Sequence, residues 1–160
     1  MFRLILKIFF IILIALMQFV FMPILSIKGA IPNLILIGSL IFIILDFEMD
    51  AFYLAGLGGL ILDLGSPTPF GFNICMLILL TFLVRYLTKK YIPQTNYATV
   101  AILIFLATII FALASVLILK EQITVLLLIE GIYAAGIGLI LFRTLLVINK
   151  PKQMITILEQ

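Results

Sequence analysis

Six long apolar segments constrain this chain more than any other feature of its sequence. They run over residues 8–22, 31–45, 51–65, 71–87, 97–119 and 123–147, and short polar or proline- and glycine-containing stretches separate them. Of the 160 residues, 66% are apolar and 11% are charged, whereas an average soluble domain is about half apolar and a quarter charged. A lipid bilayer tolerates such a composition. The sequence therefore predicts one all-α membrane domain over residues 1–160, a bundle of six transmembrane helices.

Several kinds of site are excluded by residue types that the chain lacks. It contains no histidine and a single cysteine, Cys75, which lies inside an apolar segment. A zinc or haem site built on histidine or paired cysteines is therefore excluded, as are a disulfide within the chain and a Ser–His or Cys–His catalytic pair. We predict a protein that is not an enzyme and holds no cofactor. The net charge of +3 does not indicate nucleic-acid binding, because the basic residues cluster at segment ends.

The first half of the chain leaves two alternatives open. The first segment follows Arg3 and Lys7 as in a secretory signal peptide, but no convincing small-x-small cleavage site follows it, which favours a retained helix. The second and third segments are short for spanning helices and could instead form one re-entrant hairpin. That hairpin would leave Asp46, Glu48 and Asp50 at membrane depth, at a cost of roughly 2.5–3.5 kcal/mol each. Two short or tilted spans that deliver this acidic turn to water are favoured.

Lysine and arginine residues near the segment ends predict the orientation, because cytoplasmic loops are enriched in them. With six spans and the N-terminus inside, only Lys28 and Lys120 fall in outside loops. The inside ends hold Arg3, Lys7, Arg85, Lys89, Lys90, Arg143, Lys150 and Lys152. Both termini are therefore predicted to be cytoplasmic. The two arginines within segments, Arg85 and Arg143, lie near inside ends and are expected to extend to the lipid headgroups.

Asp63 is the first candidate for function, because an acid within a span usually faces the bundle interior or a cavity. It shares a helix face with Gly56 and Gly59, and a glycine face lets another helix backbone approach closely. Asp63 therefore either bonds across helices, or caps the outer end of its own helix, or reaches water in the following turn. Other polar residues of the predicted outer half are Gln18, Asn33, Asn73 and Tyr133.

Glu130 is the second candidate, at the start of a face of small residues. The members of this face are Gly131, Ala134, Ala135 and Gly138. Glu130 either pairs with Lys120 or hydrogen-bonds within the chain, or it takes part in the contacts that this face makes. Because the two small-residue faces are more than one small bundle needs, we predict that they bind another membrane protein through close helix contacts.

The segment from Tyr53 to Phe72 reads YLAGLGGLILDLGSPTPFGF. An aromatic residue opens the helix, Asp63 follows Gly59 by four residues, and Gly71 comes eight residues after Asp63, beyond a polar turn. In these features the segment resembles the signature of the rod shape-determining protein MreD family. The chain length and the number of spans are similar to the family as well. So is the Pro32-Asn33-Leu34 start of the second segment, although Ile31 stands where many members carry an arginine.

The resemblance implies a non-enzymatic scaffold subunit of the cell-elongation machinery in a bacterial plasma membrane. Such a protein associates with MreC, and through it with the MreB filament and the peptidoglycan synthases. The alternative is the substrate-binding subunit of an energy-coupling-factor vitamin transporter, which is also a six-helix protein of this size. Those subunits typically show an Ala-x-x-x-Ala stripe on the first helix, whereas the first segment here has only Ala15.

Overall fold

A computed structural model describes residues 2–26, 29–91, 96–120 and 125–158 of the chain, and side chains between residues 7 and 147 of those ranges. Every element within these ranges is an α-helix, which confirms the predicted class. In chain order the helices are α1 (Phe2–Val20), α2 (Leu34–Ile44), α3 (Glu48–Gly65), α4 (Phe72–Tyr91), α5 (Tyr97–Leu119) and α6 (Leu126–Leu158). The six helices follow the six apolar segments. α6 extends past residue 147, where the sixth apolar segment ends.

Three of these helices are long and apolar enough to cross a membrane. They are α4, α5 and the Leu126–Val147 part of α6, and they indicate a membrane protein. Shorter apolar stretches, Lys7–Val20 and Leu34–Ile44, lie in α1 and α2. α3 is 18 residues long but carries three acids, Glu48, Asp50 and Asp63.

α2 lies at the centre of the bundle and packs against each of the other five helices. Eight of its 11 residues are buried. At 1.5 Å per residue the helix is only about 16 Å long. Asn33 caps its first turn by accepting hydrogen bonds from the backbone N–H groups of Ile35 and Leu36, both at 3.1 Å. Farther along, Thr81 of α4 donates a hydrogen bond to the buried Ser39 hydroxyl at 3.3 Å.

Two helical hairpins and α1 surround this central helix. α3 pairs with α4, α5 pairs with α6, and α1 packs on α2 and α3. Gln18 of α1 is tied to the start of α2, because its amide donates to the Pro32 carbonyl at 3.2 Å and accepts from the Leu34 N–H at 2.7 Å. The Tyr133 hydroxyl of α6 donates to the Leu25 carbonyl, just after α1, at 3.0 Å.

These contacts define two ends of the bundle. The Asp63 end of the bundle contains the C-terminus of α1, the α3–α4 turn and the N-terminus of α6. The Glu48 end contains the α2–α3 turn and the C-terminus of α4. Lys7, near the start of α1, pairs with Asp50 at the Glu48 end. α1 therefore begins at the Glu48 end, and α6 runs toward that end.

Candidate functional site: the junction of α3 and α4

A polar turn of six residues, 66–71, joins α3 to α4 at the Asp63 end. Pro67 and Pro69 within it lack a backbone donor, so the side chains organise the turn. The hydroxyl oxygens of Ser66 and Thr68 lie 2.7 Å apart, and the Thr68 N–H donates to the Ser66 hydroxyl at 3.2 Å. This arrangement aims the Thr68 hydroxyl at the start of α4, where it accepts a hydrogen bond from the Asn73 side chain at 2.9 Å.

Asp63 provides the cap for α4. The residue is buried, with 5% of its surface exposed. One oxygen accepts from the backbone N–H and the side-chain amide of Asn73, both at 2.9 Å, and the other accepts from the Ile74 N–H at 3.3 Å. The first N–H groups of a helix have no partner within the helix, and its N-terminus carries partial positive charge. A carboxylate therefore both satisfies these donors and stabilises the helix dipole.

Gly59 permits the close approach that this cap requires. A Cβ atom at Gly59 would lie 2.8 Å from the Ile74 Cα and 3.1 Å from the Ile74 backbone nitrogen. Gly71, immediately before α4, has a φ of +93°, a conformation that glycine adopts without steric cost. The three residues of the signature thus meet at a single helix junction. Asp63 bonds across helices, as one interpretation of the sequence predicts, and its bonds go to the following helix rather than to the end of its own.

Gly56 does not share this contact. A Cβ atom there would have no neighbour within 4 Å, although the sequence predicts that Gly56 and Gly59 act on one face. The predicted docking face on α3 is therefore split. Gly59 is occupied by α4 of the same chain, and Gly56 remains open.

The small residues of α6 contact α5. A Cβ atom at Gly131 would lie 2.9 Å from the Phe105 ring, and one at Gly138 would overlap the end of the Ile104 side chain. Ala134 is fully buried between these positions, and Ala135 is half-buried. This face serves helix packing within the chain, and its binding of another protein stays a prediction.

Glu130 lies half-buried near the start of α6. Among the residues that the structure describes, its carboxylate shows neither the ion pair with Lys120 nor the hydrogen bond that the sequence suggests. Lys120 itself ends α5 in a left-handed conformation with φ of +55°.

Sequence reasoning missed an ion-pair cluster at the Glu48 end. Glu48 pairs with Arg85 at 2.5 Å and with Lys89, and the hydrogen bond from Lys89, with the nearby positive charge of Arg85, holds the pKa of Glu48 below its usual value. Arg85 therefore bonds to α3 rather than extending freely to headgroups. The signal was present, because the predicted topology puts the acidic turn and the basic end of α4 on one side.

The described side chains include no group of three or more His, Cys, Asp or Glu residues placed to hold a metal ion. No protein-family model, curated protein or solved structure matches this chain.

Proposed function

We propose that the chain is a multi-pass scaffold protein of the MreD type in a bacterial plasma membrane, where it joins MreC to the cell-elongation machinery. One observation carries the proposal. The residues of the MreD-like signature are Gly59, Asp63 and Gly71, which lie apart in the sequence. A chance match to the signature would give no reason for them to act together, yet each has a defined part in the same helix junction. Because the three signature residues share one physical role, they support the resemblance on which the proposed function rests.

The pairing of α3 with α4 supports six spans with both termini inside. α3 bonds to α4 at both ends, through Asp63 to Asn73 and through Glu48 to Lys89. Since α4 is long and apolar enough to cross a membrane, a helix fixed to it at both ends reaches across the same depth. This favours two spans over a re-entrant hairpin for α2 and α3, and it leaves an even number of crossings.

The hydrogen bonds at the Asp63 end favour a scaffold over a vitamin-transporter subunit. A substrate site in that half needs polar side chains directed into a ligand space. Gln18, Asn33 and Asp63 are instead buried and bonded to backbone groups of their own chain. These three residues therefore serve helix starts.

Deletion of the gene in its own rod-shaped host, with affinity purification of the tagged full-length chain, tests the proposal. We expect rounded cells on deletion and recovery of MreC with the tagged protein. Cells that stay rod-shaped, together with a purification that recovers transporter ATPase subunits instead of MreC, would replace the scaffold with the transporter.

The Asp63→Asn variant links the junction to that function. We expect it to accumulate in the membrane at wild-type levels and to fail to restore rod shape in the deletion strain, and Asp63→Leu to be worse. Normal rods from Asp63→Asn at matched expression would show that the carboxylate charge is dispensable for the scaffold.

A further inference from the structure

A groove runs along one face of the last turns of α4. Phe82, Arg85, Tyr86, Lys89 and Lys90 line it, and their i, i+3, i+4, i+7 and i+8 spacing places them on one side of the helix. From the first to the last of them the helix rises about 12 Å. Over this length the lining changes from a hydrocarbon ring to a phenol and then to two ammonium groups.

The cationic part of the groove carries more positive charge than its acid neutralises. Arg85 and Lys89 share the single carboxylate of Glu48, and Lys90 adds a third positive charge. Arg85 is further held over the Phe52 ring, 6.0 Å from its centroid. The side chain of Lys89 is 55% exposed despite its ion pair. An anion that enters the groove therefore meets an excess of positive charge at Lys89 and Lys90.

Lys90 is positioned by aromatic rings. Its ammonium donates a hydrogen bond to the Tyr86 hydroxyl at 2.8 Å and lies 5.2 and 5.4 Å from the ring centroids of Tyr86 and Tyr91. Cation–π attraction of this kind orients a cation that is still accessible. A lysine ammonium has three donors, and the Tyr86 hydroxyl uses one of them, which leaves two for an anion in the groove.

The order of chemical groups along the groove matches a phospholipid. α4 is apolar enough to cross a membrane, and Phe82 is 59% exposed on it, so this ring faces acyl chains. Tyrosine is enriched at the level of the membrane interface, and basic pockets at helix ends bind anionic headgroups. A nucleic acid or acidic peptide would contact Lys89 and Lys90 but would leave Phe82 without an apolar partner.

We propose that this groove binds one anionic phospholipid, with an acyl chain against Phe82 and the phosphate between Lys89 and Lys90. The site is independent of the proposed scaffold function, since any membrane role would retain it.

Titration of the purified full-length protein with phosphatidylglycerol, followed by native mass spectrometry, tests the site. We expect a one-to-one complex that forms more tightly than the complex with phosphatidylcholine. Lys90→Gln should weaken phosphatidylglycerol binding about fivefold, the contribution typical of one basic residue near an anionic surface, and Lys90→Arg should restore it. Glycerol phosphate, the headgroup without acyl chains, should not form the complex.

Arg143→Gln is the matched control, because Arg143 is an exposed basic residue of α6 that lies beside Tyr97 at the same end of the bundle. It should leave binding unchanged. Equal weakening by Arg143→Gln and Lys90→Gln would show general charge attraction and overturn the site. Equal affinity for the two phospholipids would overturn the charge recognition, and binding of glycerol phosphate as tight as that of the lipid would overturn the acyl contact.

Discussion

At the scale of single residues, the junction of α3 and α4 shows how a glycine and an acid cooperate. Gly59 lets the backbone of α4 approach α3, and this proximity brings the first N–H groups of α4 within reach of Asp63. Asp63 depends on Gly59 for this role, because a displaced α4 would lie beyond the carboxylate. The spacing of four residues between them corresponds to one helical turn.

Gly59→Ala should destabilise the protein, whereas Gly56→Ala should not. The added methyl group at Gly59 would meet the Ile74 backbone, which cannot rotate away, and overpacking of this kind costs roughly 1–3 kcal/mol. At Gly56 the same group enters open space. Thermal unfolding of the two purified variants in the same detergent compares them directly. Equal melting temperatures would mean that α3 and α4 are not in close backbone contact.

Asp63→Asn should loosen the first turn of α4. The amide can replace one acceptor oxygen, but its NH₂ group would then face a backbone donor, and an unsatisfied buried donor costs roughly 1–3 kcal/mol. Cys75, the exposed single cysteine of the chain, lies in this turn, and its N–H bonds to the Gly71 carbonyl at 3.0 Å. We expect faster alkylation of Cys75 by a small maleimide. Asp46→Asn at the opposite end controls for the loss of one acid and should leave the rate unchanged.

At the scale of elements, the sequence predicted the helices well and their mutual contacts poorly. The apolar segments and their proline, glycine and charged boundaries mark each helix, because hydrophobic length and turn residues act locally. The cap of α4 by Asp63 depends on a hydrogen bond across ten residues, and a helical wheel of α3 alone cannot show it. The glycine faces predicted close packing, but only the structure assigns Gly59, Gly131 and Gly138 to neighbouring helices of the same chain.

Acid should weaken the Glu48 end of the α3–α4 pair. Because the folded pKa of Glu48 is lowered by its cationic neighbours, its contribution to stability is complete above the unfolded pKa of about 4.3 and is lost as the pH falls through the folded value. Glu48 precedes the predicted span at residues 51–65. We expect Glu48→Gln to lose less thermal stability than the wild type between pH 7 and about 3.5.

Asp46→Asn is the matched control for that measurement, since Asp46 is exposed in the same turn and forms no ion pair among the described side chains. It should lose as much stability in acid as the wild type. A Glu48→Gln variant with the acid response of the wild type would contradict a role for this ion pair.

At the scale of the whole molecule, the contacts give the bundle two chemically different ends. The Asp63 end uses Gln18, Asn33 and Asp63 to start helices, and the Glu48 end gathers ion pairs among α1, α3 and α4. Since the Glu48 end holds the basic residues, the proposed orientation places it in the cytoplasm.

Reporter fusions test this orientation. A cytoplasmic reporter joined to Gln160 should be active, and a periplasmic reporter inserted in the 66–70 turn should be active, because the six-span topology places these points on opposite sides. An active periplasmic reporter at Gln160 would rule out six spans with both termini in the cytoplasm.

The central position of α2 has a consequence for how the protein is made. Its surroundings are other helices, and most of the helices that bury it, α3 to α6, follow it along the chain. When α2 leaves the ribosome it is too short to match the bilayer on its own, and α1 is the one final neighbour that has already been made. In the proposed topology we therefore expect α2 to complete its integration only after later helices have been made, so that its integration is sensitive to anything that delays α3 and α4.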